Sequence, residues 1–292
     1  MELEYHVVDV FTTAPLEGNA LAVFPRADGL DSATMQRIAR ELNLSETTFV
    51  LPSESGAGEV RVRIFTPAAE LPFAGHPTIG TAYVLRRLGI VAQDAQSFTL
   101  RENVGPVPIR VDVGEDPILW LTTPPIRKLA EFARDRCARA LSLSPDRLLP
   151  GTHCEQLSAG SAMIFVAVRD RASVDEARLD GVAFAEMVRS CREPTAIFVF
   201  SPTPTGAYSR MFAPQFGIIE DPATGGATGP LAAFMMKYDL VPTADGTRFV
   251  SEQGVKMGRR SLLHVLIHGE RGRSGIEVGG NVVHVAQGTL TL

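Results

Sequence analysis

The sequence contains few cysteines, no cluster of basic residues and no long apolar run. Its three cysteines, Cys137, Cys154 and Cys191, lack metal-ligand spacing, and their odd number argues against a disulfide framework. We therefore predict a reducing, cytoplasmic location. Acidic and basic residues are interspersed and the net charge is −5, so no nucleic-acid partner is expected. No apolar run approaches membrane-spanning length and the N-terminus does not resemble a signal peptide, so no membrane partner is expected.

The remaining composition is that of an ordinary folded protein. With 292 residues, the chain is long enough for one large domain or two domains of usual size. Hydrophobic residues make up 45% of the sequence and charged residues 21%, which is typical of globular proteins with a buried core.

Two stretches of the chain resemble each other. Residues 70–82 and 220–232 share the pattern Glu-x-Pro-x-x-Gly-x-x-Thr, and each leads into an apolar, helix-like segment. Each is preceded by Arg-x-Phe-x-Pro, at residues 63–67 and 210–214. Coincidence explains short strand-like similarities, but it does not readily explain two such patterns in the same order. We therefore predict an internal duplication.

The first half is predicted to contain two helices and a series of strands. Asp31 and Ser32 can cap the first helix, whose apolar residues recur at helical spacing. The second helix runs from about Pro77 to Leu88 and ends at Gly89. It is apolar on most sides, so it is predicted to be buried. Strands are predicted at residues 3–11, 20–24, 47–51, 59–65, 97–100, 108–113 and 118–121.

The second half is predicted to repeat this plan after a connection at residues 122–126. Its strands are predicted at residues 160–166, 195–200 and 208–212, and its helices at residues 180–191 and 231–238. The tail, residues 274–292, has no counterpart in the middle of the chain. It is predicted to form a hairpin about Gly279-Gly280-Asn281 and to cross back to pair with the first half.

The glycines of the duplicated pattern suggest an anion-binding site. The start of a helix presents backbone N–H groups without acceptors and the positive end of the helix dipole. Gly75, Gly225 and Gly226 would let a ligand approach these groups, which can bind a carboxylate or stabilise an oxyanion. For any one of them, a plain turn glycine is the alternative. Residues 225–229 do not form a P-loop, because no Lys-Ser/Thr follows.

Several motifs together resemble one family. Asn43-Leu-Ser-Glu-Thr-Thr-Phe, Phe65-Thr-Pro-x-x-Glu-Leu-Pro-Phe-Ala-Gly-His-Pro-Thr and Glu220-Asp-Pro-Ala-Thr-Gly are similar to motifs of the PhzF family, named for the phenazine-biosynthesis isomerase. The resemblance covers nearly the whole chain. It implies an α+β, diaminopimelate epimerase-like fold with two pseudo-symmetric domains, each a curved, mostly antiparallel sheet around a central helix. The implied domains are residues 1–121 plus 278–292 and residues 127–277, with the active site in the cleft between them.

Three residues are candidate catalytic groups, two of them implied by the resemblance and His76 by its position at the start of a buried helix. Glu46 matches the family's general acid/base, a role that needs a pKa raised by burial. Taken alone, Glu46 could be a solvated carboxylate or half of a capping box with Asn43. His76 would act as a neutral imidazole beside an enol or enolate, and a structural histidine is its alternative. Asp221 matches the family's second active-site carboxylate, a role compatible with stabilising a helix dipole.

The positions around these three are implied to bind a small carboxylate substrate, and family members often form homodimers. No cofactor and no metal are indicated, because the six histidines are scattered. The implied substrate-binding residues are Ser45, Gly75, Pro77, Thr224, Gly225 and Gly226.

Two departures from related patterns refine the expected chemistry. The family usually has Ser at the position of Gly226, so one hydroxyl donor is missing while its backbone N–H remains. Epimerases of this fold place a cysteine at the start of each central helix, where this chain has Ala74-Gly75 and Thr224-Gly225. A two-thiol racemase is therefore not expected. A single carboxylate acting on one face suits a suprafacial proton shift, as catalysed by an isomerase.

Three functions follow from these patterns. The first is a cofactor-independent isomerase that acts on trans-2,3-dihydro-3-hydroxyanthranilate or a related small amino or hydroxy acid. The second is an epimerase or lyase that acts on another acid. The third is a non-catalytic binding protein of the same fold. The presence of Glu46, His76 and Asp221 together favours an enzyme. Gly226 in place of the family's usual Ser favours a protein that kept the fold and lost the activity.

Overall fold

Helices and strands follow one another in two similar series. The computed structural model describes residues 1–52, 59–114 and 116–292. The helices in these ranges are α1 (Ser32–Leu42), α2 (Gly75–Arg87), α3 (Arg134–Ala140), α4 (Arg171–Glu176), α5 (Gly181–Val188) and α6 (Gly225–Lys237). The strands are β1 (Glu2–Val10), β2 (Asn19–Phe24), β3 (Glu46–Leu51), β4 (Glu59–Phe65), β5 (Glu70–Leu71), β6 (Ser97–Glu102), β7 (Gly105–Val111), β8 (Leu119–Thr122), β9 (Arg127–Phe132), β10 (Cys154–Ser158), β11 (Ala162–Ala167), β12 (Thr195–Thr203), β13 (Gly206–Ala213), β14 (Ile218–Asp221), β15 (Arg248–Gln253), β16 (Ser261–His268), β17 (Gly275–Gly280) and β18 (Val282–Thr291).

The strands pair in two matching orders. The first is β18-β1-β2-β3-β4-β6-β7-β8, and the second is β9-β10-β11-β12-β13-β15-β16-β17. In each order the third and fourth strands are parallel, as are the fifth and sixth, and the other neighbours are antiparallel. Antiparallel pairing of β8 with β17 joins the two orders. These pairings confirm the predicted duplication and the mostly antiparallel α+β fold.

The last strand of the chain completes the first order. β18 pairs with β1 from Glu2 opposite Thr291 to Val10 opposite Val282, in the place that β9 takes beside β10. The prediction that the tail crosses back is therefore confirmed. The predicted hairpin about residues 279–281 is wrong, because β17 pairs with β8 and β16 whereas β18 pairs with β1. The exact domain boundaries stay a prediction.

Each order of strands surrounds one buried helix. Ile79 and Leu85 of α2 pack among residues of the first order, and Leu231 and Phe234 of α6 pack among residues of the second. On the other face, α1 packs against the first order and α3, α4 and α5 pack against the second. The two central helices are therefore enclosed by sheet, as predicted for both.

Both central helices begin earlier than their apolar patterns predicted. α2 begins at Gly75 instead of Pro77, and α6 begins at Gly225 instead of near Leu231, so Pro230 lies inside α6. The first turns contain glycine and proline, which apolar periodicity cannot assign to a helix. Pro77 is tolerated because the first N–H groups of a helix have no acceptor within it.

The other predicted elements are confirmed with boundaries that shift by a few residues. The cap of α1 is confirmed, since the Asp31 carboxylate accepts from Thr34 N at 2.7 Å. Elements that were not predicted include α3, α4, β5, β9, β10, β14 and β15. Strand β9 is largely exposed and α4 has six residues, so neither carries a strong periodic signal.

The repeated Glu and Thr of the duplicated pattern have structural contacts. Arg63 pairs with Glu70 through two hydrogen bonds of 2.8 and 2.6 Å, and Arg210 pairs with Glu220 through two of 2.8 and 2.9 Å. In both central helices the threonine hydroxyl donates to the carbonyl four residues earlier. Two-point guanidinium–carboxylate pairs fix geometry as well as adding energy, so these contacts hold each turn before its helix.

The close contact between the central helices predicts a stability effect at Gly75. A Cβ there would lie 2.4 Å from the Gly225 carbonyl carbon and 2.6 Å from Gly226 N. Gly75→Ala should therefore lower the free energy of unfolding by about 1–3 kcal/mol or more, measured by urea unfolding. Gly226→Ala is the control, because its Cβ would meet nothing closer than 3.6 Å. That variant should be neutral or stabilised by up to about 1 kcal/mol. Equal losses in both variants would contradict the close contact.

Candidate active site

A cavity lies where the two halves of the chain meet. The space between its walls, counted together with its open mouth, is about 490 Å³. Its polar wall includes Glu46, His76, Asp221 and Thr224. These residues come from β3, the start of α2, the end of β14 and the start of α6, so both halves contribute.

The first turns of α2 and α6 line this cavity together. Gly75 and Gly225 touch through their backbones, and a Cβ on Gly225 would lie 3.0 Å from Gly75 Cα. The N–H groups of Gly75, His76, Gly225 and Gly226 begin the two helices, so no carbonyl within the helix accepts from them. The positive ends of both helix dipoles point to the same place, which suits a bound anion.

Glu46 is the first residue of β3 and is 6% exposed. Asn43 ends α1 in the left-handed conformation, with φ of 50°, so it does not form a capping box with Glu46. The Glu46 Oε2 atom lies 3.2 Å from Nε2 of His76. Burial, and secondarily the charge of Asp221, raises the pKa of Glu46 well above its usual range. A raised pKa is the property that a carboxyl acid/base needs near neutral pH.

His76 lies in the first turn of α2 and is 2% exposed. Burial lowers the pKa of His76 to about 3, so the imidazole is neutral at physiological pH. Its Nδ1 atom lies 3.1 Å from Nδ2 of Asn19. The ring therefore lies between the amide of Asn19 and the carboxyl group of Glu46.

Asp221 is the last residue of β14 and is 3% exposed. Asn19 Nδ2 donates to its Oδ1 at 2.7 Å, and the Thr224 hydroxyl donates to its Oδ2 at 2.6 Å. Burial raises the pKa of Asp221 to about 7, although both hydrogen bonds oppose the rise. Gln253 holds this turn, since its Nε2 donates to the Asp221 carbonyl at 2.7 Å and its Oε1 accepts from Thr224 N at 3.1 Å.

Three polar atoms at this site are buried without a hydrogen-bond partner among the described residues. They are Asn19 Oδ1, Glu46 Oε2 and His76 Nε2. The last two are close, but their orientation does not meet hydrogen-bond geometry. Because buried polar atoms are normally paired, their arrangement indicates a place for a polar ligand or water.

The wall contributed by the second half is mainly apolar. It includes Met163, Ala196, Met211, Ala213, Phe216 and Ile218. Strand pairing shows the counterpart of Glu46, because Leu21 pairs with Glu46 in the first half and Met163 pairs with Ala196 in the second. The residue that corresponds to Glu46 is therefore Ala196, whose side chain is a methyl group. The second half thus has no carboxylate at this position.

Most predicted site residues come together at the cavity. Its lining contains seven of them: Glu46, Gly75, His76, Asp221, Thr224, Gly225 and Gly226. Ser45 is half-buried in the turn before β3, and Pro77 is buried inside α2, and neither is part of the lining. The two residues flank Glu46 and His76 in sequence, which does not ensure that their side chains face the same space.

Sequence reasoning missed the polar residues behind the cavity wall. The sequence predictions assign no role to Asn19, although its amide contacts both His76 and Asp221. They assign no role to Gln253 either. One signal was available for Asn19, since Gly18-Asn19 matches Gly160-Ser161 in the duplication and Ser161 lines the cavity.

We also looked among the residues that the structure describes for a metal site, a cysteine in the cavity and a membrane-spanning helix. No group of three or more His, Cys, Asp or Glu side chains there is arranged to hold a metal ion. Within the same ranges, no cysteine lines the cavity. None of the helices described is long and apolar enough to span a bilayer.

The chain is similar to known proteins along nearly its whole length. The family model described as "Phenazine biosynthesis-like protein" (PhzC-PhzF) matches residues 8–288. The chain is 35% identical over 291 residues to the trans-2,3-dihydro-3-hydroxyanthranilate isomerase of Pseudomonas chlororaphis, and the match covers 99% of each protein.

Solved structures share the whole fold. The crystal structure of a PhzF-family phenazine biosynthesis protein from Bacillus anthracis matches with a TM-score of 0.87 and 26% identity over 100% of both chains. A hydroxyproline epimerase from Agrobacterium vitis, at 13% identity, shares the fold with a TM-score of 0.69 over 99% of this chain and 92% of that one. The chain therefore belongs to the phenazine biosynthesis-like PhzC-PhzF family and is an isomerase with the epimerase-like α+β fold.

Proposed function

We propose that this isomerase moves a proton between two carbons of one small carboxylic acid without a cofactor, with Glu46 as the general acid/base. The observation that carries the proposal is the placement of Glu46 Oε2, which is buried, has no hydrogen-bond partner among the described residues and lies 3.2 Å from His76 Nε2 at the cavity. Asp221 lines the same cavity. A general base must lie within hydrogen-bond reach of the proton that it takes, and this cavity offers that position.

The reaction requires no net gain or loss of atoms. The Glu46 carboxylate takes a proton from a carbon next to a carbonyl, imine or diene, and the C–H electron pair moves into the conjugated system. The resulting carboxylic acid returns the proton to a second carbon of the same molecule. Because Ala196 stands where a second carboxylate would stand on the opposite wall, both transfers occur on one face.

The other predicted residues bind and orient the substrate. Backbone N–H groups of Gly75, Gly225 and Gly226 hold the substrate carboxylate at the meeting of the two helix dipoles. Asp221 and Thr224 bind its polar substituents. Neutral His76 stabilises the negative charge that develops when the proton leaves. Ser45 and Pro77 act through the backbone placement of their catalytic neighbours.

The proposed substrate is trans-2,3-dihydro-3-hydroxyanthranilate or a related small amino or hydroxy acid. The relatives that carry this substrate in their name match along nearly the whole chain. A molecule with polar substituents on one face and a hydrocarbon ring on the other fits one polar and one apolar wall.

The proposal also includes a cytoplasmic homodimer. A reducing location suits the three cysteines, which are free, with two of them buried. The homodimer is an expectation from the family resemblance. No nucleic-acid or membrane partner is proposed.

Replacement of the base provides the first test. Glu46→Gln should lower kcat by about 10²–10⁴-fold and abolish uptake of solvent deuterium into trans-2,3-dihydro-3-hydroxyanthranilate, followed by NMR and mass spectrometry. Glu46→Asp is the matched control, because it keeps the carboxylate while withdrawing it by one methylene, and it should retain measurable exchange. Normal turnover by Glu46→Gln would show that Glu46 is not the base. If the wild type does not convert trans-2,3-dihydro-3-hydroxyanthranilate, the substrate proposal fails. The same assay is then repeated with a metabolite extract in place of this compound.

The pH profile provides a second test. The base works only when deprotonated, so wild-type kcat/KM should rise with pH through the raised pKa of Glu46 and be lost as pH falls. Asp221→Asn removes a negative charge that contributes to this raised pKa, so it should move the acid limb to lower pH. The new amide oxygen still accepts from Asn19, although the new amide nitrogen cannot accept from the Thr224 hydroxyl. A limb that stays in place or moves upward would contradict the electrostatic coupling of the two carboxyl groups.

The position of Gly226 provides a third test. A Cβ there would lie 3.6 Å from Phe73 Cε1 and 3.7 Å from Gly75 N, so serine fits without displacing either. Gly226→Ser should change KM between related acids by about two- to tenfold, the value of one added hydrogen bond. Gly226→Ala, which adds the Cβ without the hydroxyl, should not. Identical KM values for all three proteins would place position 226 outside the binding site.

A further inference from the structure

Asn19 connects the catalytic residues of the two halves. It begins β2, is 1% exposed and does not line the cavity. Its Nδ2 atom donates to Asp221 Oδ1 at 2.7 Å and to the Ala223 carbonyl at 2.9 Å, and lies 3.1 Å from His76 Nδ1. One amide nitrogen therefore faces His76 in the first half and two oxygen acceptors in the second.

These contacts fix which way the Asn19 amide faces. Rotating the amide by half a turn would place its oxygen against the Asp221 carboxylate and the Ala223 carbonyl, three acceptors without a hydrogen. The nitrogen must therefore face this group. An amide nitrogen donates and cannot accept, so His76 Nδ1 must be the unprotonated nitrogen of the ring. The neutral imidazole then carries its hydrogen on Nε2, the atom 3.2 Å from Glu46 Oε2.

We propose that Asn19 is a positioning residue that holds His76 in the Nε2–H tautomer, so that His76 presents a hydrogen-bond donor to the cavity. This inference rests on the proposed function, in which His76 stabilises a developing negative charge. The opposite tautomer would present a lone pair at the same place and would repel that charge. Ser161, the counterpart of Asn19 in the second half, has no imidazole to orient, because Gly226 stands where His76 would be.

The hydrogen bond to Asp221 adds a second consequence. The Nδ2 group has two hydrogens for three acceptors, so at least one hydrogen is shared, and the group contacts both Asp221 Oδ1 and His76 Nδ1 although they lie in different halves. Asn19 thus orients one residue from each half without touching the substrate. A residue with this role is expected to affect kcat more than KM.

The tautomer can be measured directly in the unaltered protein. Nitrogen-15 NMR of histidine-labelled wild type should show His76 with hydrogen on Nε2 and none on Nδ1, with His76→Gln used to assign the signal among the six histidines. A hydrogen on Nδ1 overturns the proposal. This measurement does not depend on catalysis. If wild-type His76 carries its hydrogen on Nδ1 and Glu46→Gln is inactive, the positioning role alone is refuted. If wild-type His76 carries its hydrogen on Nε2 and Glu46→Gln is fully active, the proposed function alone is refuted.

A charge-preserving exchange tests the link to catalysis. In Asn19→Asp/Asp221→Asn the two side chains swap, so total charge is kept while an acceptor replaces the donor beside His76 Nδ1. The tautomer should reverse to Nδ1–H, and kcat should fall about tenfold or more below that of Asp221→Asn, with a smaller change in KM. Asp221→Asn alone should keep the Nε2–H tautomer, and Asn281→Ala should leave tautomer and activity unchanged. The proposal is overturned if the folded double variant keeps the Nε2–H tautomer, or if its tautomer reverses while kcat stays unchanged. If the double variant does not fold, the wild-type spectrum decides between the two tautomers.

Discussion

The meeting of two helix N-termini at Gly75 and Gly225 is the constraint on which the rest of this structure depends. The backbones touch, so a side chain on Gly75 would displace the other helix, and one on Gly225 would press against Phe11 and Gly75. Each helix start carries about half a positive charge, and two such ends repel unless negative charge lies nearby. Asp221 supplies a carboxyl group beside this point, and an acidic substrate would supply another. The packing of the core and the proposed binding of an anion therefore have one origin.

Duplication builds the cleft, and the differences between the copies make it a one-sided site. The Arg–Glu pairs and the threonine hydroxyls recur in both halves and hold the two helix starts alike. Where the first half has Glu46 and His76, the second has Ala196 and Gly226. The proposed transfer of a proton on one face follows from this difference, in contrast to a symmetric pair of thiols.

Much of the fold was predictable because its signals are local. Alternating apolar residues marked most strands, Asp31 marked the start of α1, and Gly89 followed the end of α2. The helix starts were not predictable from periodicity, because their first turns contain glycine and proline and are buried by the other helix. The hairpin at residues 279–281 failed for a similar reason. A pair of glycines there permits a change of strand partner as well as a tight turn, and Gly280 is needed because Phe11 lies against it.

By itself, the sequence determined that the chain is duplicated, that Gly-rich helix starts recur in both halves, and which residues resemble a family's acid/base groups. These properties are encoded in residue types and spacings along one segment at a time. Only the tertiary structure decided that Asn19 holds His76 and Asp221 together, and that Ser45 and Pro77 stay outside the cavity. Asn19 and Asp221 are 202 residues apart, and their hydrogen bond exists because the two sheets bring both helix starts to one point. Contacts of that kind depend on how distant elements pack, which no local pattern encodes.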